Sequence, residues 1–103
     1  MSIRVRDTGE FRAGRAYADV SGSITAGGTA QTVTAASVDR LGGFVSNPNA
    51  SGSLWVNFLG GTSAANAAGS VEVIPGQVLN FDSTQAVTIV HATTAAKFTA
   101  GVY

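Results

Sequence analysis

Apolar and polar residues alternate along short stretches of this chain, and glycine, proline, asparagine and aspartate separate the stretches. Alternation with a period of two is typical of half-buried β-strands. The clearest example begins at Leu54, which shares one strand face with Val56 and Phe58. Trp55 and Asn57 lie on the opposite face. We expect the first face to pack in a core.

The same signals predict about eight short strands, with turn residues every 8–12 positions or so. The predicted strands are residues 19–25, 31–35, 43–46, 54–59, 70–74, 77–81, 85–92 and 97–103. No segment has the apolar stripe that would hold a long helix in place. The pattern therefore predicts an all-β fold, an antiparallel β-sandwich of either jelly-roll or immunoglobulin-like type.

Three glycine doublets begin at Gly27, Gly42 and Gly60. None has the lysine of a Walker loop or the spacing of a dinucleotide-binding loop. We interpret all three as hairpin corners, where glycine supplies the positive φ that tight turns require.

Residues 1–17 differ from the rest of the chain and predict an extended N-terminal arm ahead of a β-sandwich domain at residues 18–103. This segment either lies on another surface, with Phe11 and Tyr17 as anchors, or is a partly disordered terminus. The segment 1–15 has four arginines and two acids, a net charge of +2. Arginine suits bidentate pairing with carboxylates at protein interfaces. Acids among the arginines, and a total net charge of zero, favour protein over nucleic acid as partner. The residues expected to make these contacts are Arg4, Arg6, Phe11, Arg12 and Arg15.

The composition indicates a subunit of an assembly. Charged residues make up 12% of the chain, against about a quarter in an ordinary domain. Gly, Ala, Ser and Thr account for 51 of the 103 residues, so a core built from this chain buries little apolar area per residue. We expect neighbouring copies or a larger lattice to cover part of the surface and to add stability.

The sequence offers little for chemistry. Cysteine is absent and His91 is the one histidine, which leaves no thiolate or multi-histidine metal site. His91 shares a strand face with Val87 and Ile89 and is expected at or near the core or a subunit contact. The six acids are scattered, and no nucleophile elbow occurs. We expect no enzyme activity, catalytic residue, cofactor, metal or small-molecule substrate.

Two aromatic residues are candidates for protein contact. Trp55 lies opposite the predicted core face, and tryptophan is favoured at interface hot spots. If both sheet faces are covered, Trp55 is instead an ordinary core residue. Tyr103 is a weaker candidate of the same kind. The chain also lacks a secretory leader pattern and any apolar run near the roughly 20 residues of a membrane span, so we expect a soluble protein without membrane contact.

From Gln31 onward the order of motifs resembles small β-sandwich virion proteins of tailed bacteriophages. The motifs are Q-T-V-T at 31–34, N-P at 47–48, L-W-V-N-F at 54–58, V-E-V-I-P-G at 71–76, Phe81, and A-V-T-I at 86–89. The resemblance is greatest to head decoration (cement) proteins. It implies a non-enzymatic protein, typically a homotrimer, that binds the major capsid protein or other virion proteins on the outer surface of the head. Such a protein is made in the host cytoplasm and resides in the virion.

Two alternatives stay open. A tail- or fibre-associated module could bind a receptor or carbohydrate, with Trp55 stacking on a sugar ring. A small enzyme or a cellular binding module unrelated to phage would need a concave site with several titratable groups, which the single histidine and scattered acids do not favour.

Overall fold

The computed structural model describes residues 17–103 of the chain. These residues contain nine β-strands and no helix, which confirms the predicted all-β sandwich. The strands are β1 (Ala18–Asp19), β2 (Gly22–Ser23), β3 (Gln31–Thr34), β4 (Gly43–Ser46), β5 (Leu54–Asn57), β6 (Val71–Val73), β7 (Val78–Phe81), β8 (Val87–Val90) and β9 (Lys97–Val102).

The strands form two sheets, and every pairing within them is antiparallel. Sheet A has the order β1-β9-β4-β7, with β2 also paired to β9. Sheet B has the order β3-β8-β5-β6. Strands β6 and β7 are therefore edge strands of different sheets, joined by the short turn at Pro75 and Gly76.

The strand order distinguishes the two sandwich types. If β1 and β2 count as one interrupted strand, the first strand pairs with the last (β9), β3 with β8, β4 with β7 and β5 with β6. This nested pairing is that of a jelly roll, in which one long antiparallel strip is wrapped into two sheets. An immunoglobulin-like sandwich instead pairs its first two strands within one sheet. The strand order therefore selects the jelly-roll alternative.

The core lies between the sheets and follows the predicted alternation. Leu54 and Val56 of β5 are fully buried, as are Val87 and Ile89 of β8. Phe58, expected in the same set, is partly buried and packs against the core from beyond the end of β5. The remaining buried core side chains are Ile24, Val45, Val73, Phe81, Ala96, Phe98 and Ala100.

The predicted strand at residues 19–25 is divided into β1 and β2 by Ser21. Its hydroxyl donates to the Ala100 carbonyl oxygen at 3.2 Å and accepts from the Ala100 amide at 2.8 Å. The Val20 amide also donates to this carbonyl oxygen, at 3.0 Å, so the Ser21 side chain replaces one backbone partner, the acceptor of the Ala100 amide. The strand is interrupted while the backbone groups of Ala100 stay bonded.

The glycine doublets do not all serve the expected purpose. Gly28 and Gly60 have φ of 80° and 89°, as a tight turn requires. Gly43 instead lies in β4, and a Cβ there would be 2.5 Å from the Gly101 carbonyl oxygen. The interpretation of this doublet as a hairpin corner is wrong, because the glycine is needed for close approach of two paired strands.

Candidate functional site

The predicted arm contacts lie outside the described residues. Arg4, Arg6, Phe11, Arg12 and Arg15 all precede residue 17, where the described part begins. Their role in protein contact stays a prediction.

Tyr17, the first described residue, packs on the outer face of sheet A. Its ring meets the rings of Phe44 and Tyr103 edge-on, with centroid distances of 5.6 and 4.7 Å. Gly101 makes room for this cluster, because a Cβ there would be 2.8 Å from Phe44 Cε1. Tyr17 remains 56% exposed. The cluster therefore presents an aromatic surface where residues 1–16 join the sandwich.

Both the amide and the carbonyl group of Tyr103 are hydrogen-bonded. Its amide donates to the Gly42 carbonyl oxygen, and its own carbonyl oxygen accepts from the amides of Leu41 and Gly42. The side chain is half-buried against Tyr17. The predicted contact residue is thus a fixed part of the aromatic cluster.

Trp55 lies on the outer face of sheet B, as the alternation predicted. It is paired across the sheet with Glu72 of β6 and Val90 of β8, and its side chain is half-buried. Asn57 follows on the same face but is 5% exposed. The Asn57 Oδ1 accepts hydrogen bonds from the amides of Leu59 and Gly61, so this carboxamide organises the next loop.

The loop after β5 folds over the outer face of sheet B. The Ser63 amide donates a hydrogen bond to the Thr88 hydroxyl, which in turn donates to the Gly61 carbonyl oxygen. A cleft of about 380 Å³ remains beside this loop, and we call it the Trp55 cleft. Its lining contains no Asp, Glu, Lys or Arg; the lining residues are Gly28, Ser53, Trp55, Ser63, Ala64, Ala65, Val90, His91 and Ala92.

Two residues of the Trp55 cleft carry buried polar atoms without a hydrogen-bond partner within residues 17–103: Ser63 Oγ and His91 Nε2. Both residues are 3% exposed. The Thr93 amide donates to His91 Nδ1 at 3.0 Å, so the neutral ring carries its proton on Nε2. The expected burial of His91 is confirmed. An unpaired buried donor and an unpaired buried hydroxyl are costly and call for a reason.

Gly52 packs directly against the His91 ring. A Cβ on Gly52 would be 2.7 Å from His91 Nε2, and its φ is 83°. Gly28 has nearly the same φ, 80°, but a Cβ there would meet nothing within 4 Å. Comparing substitutions at Gly52 and Gly28 therefore separates the cost of backbone strain from the cost of steric overlap.

We predict that Gly52→Ala lowers the free energy of unfolding by about 2–4 kcal/mol. Gly28→Ala, the matched control, should cost about 1 kcal/mol, because it introduces only the unfavourable backbone conformation. Urea denaturation of both variants measures the difference. Equal losses would contradict close packing of Gly52 on His91.

Arg40 is a buried cation that the sequence reading did not single out. It is 6% exposed, and its guanidinium donates to the carbonyl oxygens of Ala35, Ser83 and Gln85. Its Cζ also lies 6.0 Å from the ring centroid of Phe81. Burial lowers the pKa of the guanidinium, which still stays protonated at neutral pH. Arg40 thus joins two loops that lie more than forty residues apart.

Asn47 is a buried amide with all its hydrogen-bonding capacity used. Its Nδ2 donates to the carbonyl oxygens of Gly52 and Val73, at 2.9 and 2.8 Å. Its Oδ1 accepts from the amide and the side chain of Asn49. The start of the loop after β4 is therefore fixed to β6 in the other sheet.

The surface of the described residues combines few charges with several large apolar side chains. Asp19, Asp39, Glu72 and Asp82 are exposed, whereas Lys97 is the one exposed basic side chain of residues 17–103. The exposed large apolar side chains are Tyr17, Val38, Leu41, Leu59, Val71, Ile74 and Val78. Three of these lie close together in the sequence: Val71 in β6, Ile74 at the turn and Val78 in β7. We call these three residues the β6–β7 edge.

Among residues 17–103, no three His, Asp or Glu side chains come close enough to hold a metal ion together. Nor does this part of the chain contain a helix of the length and hydropathy needed to cross a bilayer.

Comparison with protein-family models, with curated proteins and with solved structures gave no match to this chain. The resemblance to phage virion proteins stays a prediction from the motifs alone.

Proposed function

We propose that this protein is a non-enzymatic virion protein of a tailed bacteriophage, a head decoration protein that stabilises the capsid. In this proposal it forms a homotrimer on the outer surface of the head and binds the major capsid protein. The fold is compatible with this role, since jelly rolls occur in viral capsid proteins. A fold alone does not define a function, so the surface has to carry the proposal.

The observation that carries the proposal is the β6–β7 edge. Val71, Ile74 and Val78 are 38%, 44% and 57% exposed. Strands β6 and β7 each have one side without a partner strand among the described residues. An exposed apolar edge favours pairing with another chain unless charge or proline blunts it, and here Glu72 is the one charged side chain on the two strands. A second and third copy would cover this edge.

Charge supports a separate role for residues 1–15. Because Arg40 is buried, the exposed side chains of the sandwich carry four acids and one lysine. The segment 1–15 carries four arginines and two acids. We infer that these arginines reach acidic groups on neighbouring subunits of the shell. Several weak contacts per trimer add because the trimer engages several sites at once. Binding only the closed shell then stabilises it by mass action.

Deleting residues 1–15 tests this function. We expect the protein concentration that half-fills the capsid sites to rise at least about tenfold, because contacts at several sites are lost together. The thermal midpoint of the isolated sandwich should not change. The control is the variant Asp7→Asn/Glu10→Gln, which keeps the arginines and should keep full occupancy. Unchanged occupancy after the deletion would rule out the arm as the capsid contact.

A further inference from the structure

We propose that the Trp55 cleft is a binding site for a neutral polyhydroxylated ring, that is, a pyranose sugar. This inference goes beyond capsid decoration and does not depend on it. Three independent features of the cleft support it: an aromatic wall, an unpaired buried hydroxyl and a lining without charge.

Trp55 supplies the aromatic wall. It is half-buried on the outer face of sheet B and paired across the strands with Val90, and Ala64 and Ala65 also line the cleft. A partly exposed indole offers a flat apolar surface with little conformational entropy to lose. The C–H face of a pyranose matches such a surface, and the small alanine side chains leave room for a ring. The cleft volume of about 380 Å³ is within the range of small-molecule sites.

Ser63 supplies the polar group, and His91 also lines the cleft. Among the described residues, Ser63 Oγ and His91 Nε2 are the two buried side-chain atoms without a partner, and both residues line this cleft. Nε2 can only donate, because Nδ1 already accepts from the Thr93 amide. The Ser63 hydroxyl can donate or accept. A sugar hydroxyl does both. We assign the hydrogen bond to Ser63, because the Nε2 edge of the His91 ring lies against Gly52.

The lining selects for a neutral ligand. No carboxylate, ammonium or guanidinium belongs to the residues of the cleft. Glu72 lies across the strand pair from Trp55, and its carboxylate already accepts a hydrogen bond of 2.6 Å from the hydroxyl of Ser53. An anionic ligand would find no cation here and would approach this carboxylate. A phosphate or an acidic sugar is therefore disfavoured.

Intrinsic fluorescence tests the site directly, because Trp55 is the single tryptophan of the chain. The full-length protein, without capsids, is titrated with the methyl pyranosides of glucose, galactose, mannose and N-acetylglucosamine in turn. We expect at least one to shift the emission saturably, with a dissociation constant on the order of 1 mM for so small a ligand. Methyl glucuronide is expected to bind less tightly than the matching glucoside.

Two variants and one control separate a loss of binding from a loss of folding. Ser63→Ala should leave the thermal midpoint unchanged or higher, because the hydroxyl has no partner in the free protein. It should weaken sugar binding about three- to tenfold. Trp55→Leu, followed by NMR chemical shifts, should weaken binding at least about tenfold. Phe44→Leu removes an aromatic ring from the outer face of the other sheet and should not change affinity.

The proposal is overturned if none of the four pyranosides gives a saturable response up to about 100 mM, a hundred times the expected dissociation constant. It is also overturned if Ser63→Ala and Trp55→Leu both bind as tightly as the unmodified protein. Since no capsid takes part, neither result bears on the decoration function, which the deletion of residues 1–15 tests separately.

Discussion

Replacing Arg40 with methionine is expected to lower the free energy of unfolding by about 3–5 kcal/mol. The variant keeps most of the aliphatic volume but removes the donors to the carbonyl oxygens of Ala35, Ser83 and Gln85. Those carbonyl oxygens then lose their partners in partly buried positions. For a small domain with a total stability of about 5–15 kcal/mol, this loss approaches complete unfolding.

Guanidinium chloride denaturation measures the effect, and two further variants interpret it. Arg40→Lys keeps the charge but has one compact ammonium group in place of a planar guanidinium that donates to three carbonyl oxygens. An intermediate loss of unfolding free energy is therefore expected. Lys97→Met removes the exposed cation and should change stability by no more than about 0.5 kcal/mol. A loss below about 1 kcal/mol in Arg40→Met would mean that this guanidinium does not join the two loops.

The second large effect is expected from Asn47→Asp, which keeps size and shape. Asn47 is fully buried, and its Nδ2 donates to the carbonyl oxygens of Gly52 and Val73. A carboxylate would place a negative oxygen against those two carbonyl oxygens and would bury a charge without a counter-ion. We expect a loss of about 3–5 kcal/mol at neutral pH.

The pH dependence of this variant has a definite sign. Burial raises the pKa of the introduced carboxyl above its unfolded value, so the folded state binds the proton more tightly. The deficit should therefore be largest above that folded pKa and should shrink as pH falls through it. Asn80→Asp, on the exposed face of β7, is the control and should be nearly neutral. A loss independent of pH would show that charge burial is not its cause.

The strands could be predicted from the sequence because their signals are local. The alternation around Leu54 and Val56 assigned the buried and outer faces of β5 correctly, and Trp55 was found on the outer face. The jelly-roll topology could not be predicted, since it depends on which distant strands pair. The break between β1 and β2 was also missed, because it depends on Ser21 bonding to Ala100, 79 residues away.

The buried polar residues were missed for the same reason. Arg40 was counted only as a charge, yet its partners Ser83 and Gln85 are 43 and 45 positions away. Asn47 is visible in the sequence only as part of the N-P motif, because its bond to Val73 spans 26 positions. One signal was present: Arg40 is the only arginine after residue 15, and an isolated cation in a weakly charged domain is a candidate for burial. The Ser63 side of the cleft had no sequence signal.

In the proposed trimer, neighbouring copies cover the β6–β7 edge. Ile74 and Val78 are the most exposed side chains of this edge. Two lysines there should oppose pairing between chains, since charged edge residues prevent strand addition. Val38 is 91% exposed on a loop away from this edge, so Val38→Lys adds the same type of charge without blocking it.

The native mass of the purified protein tests whether copies cover this edge. We predict a trimer, about three times the chain mass of 10.3 kDa, for the unmodified protein and for Val38→Lys. Ile74→Lys/Val78→Lys should give the mass of one chain and retain the folded near-ultraviolet signal of Trp55. A single-chain mass for the unmodified protein up to about 100 μM would contradict the proposal that this surface exists to be covered by other copies.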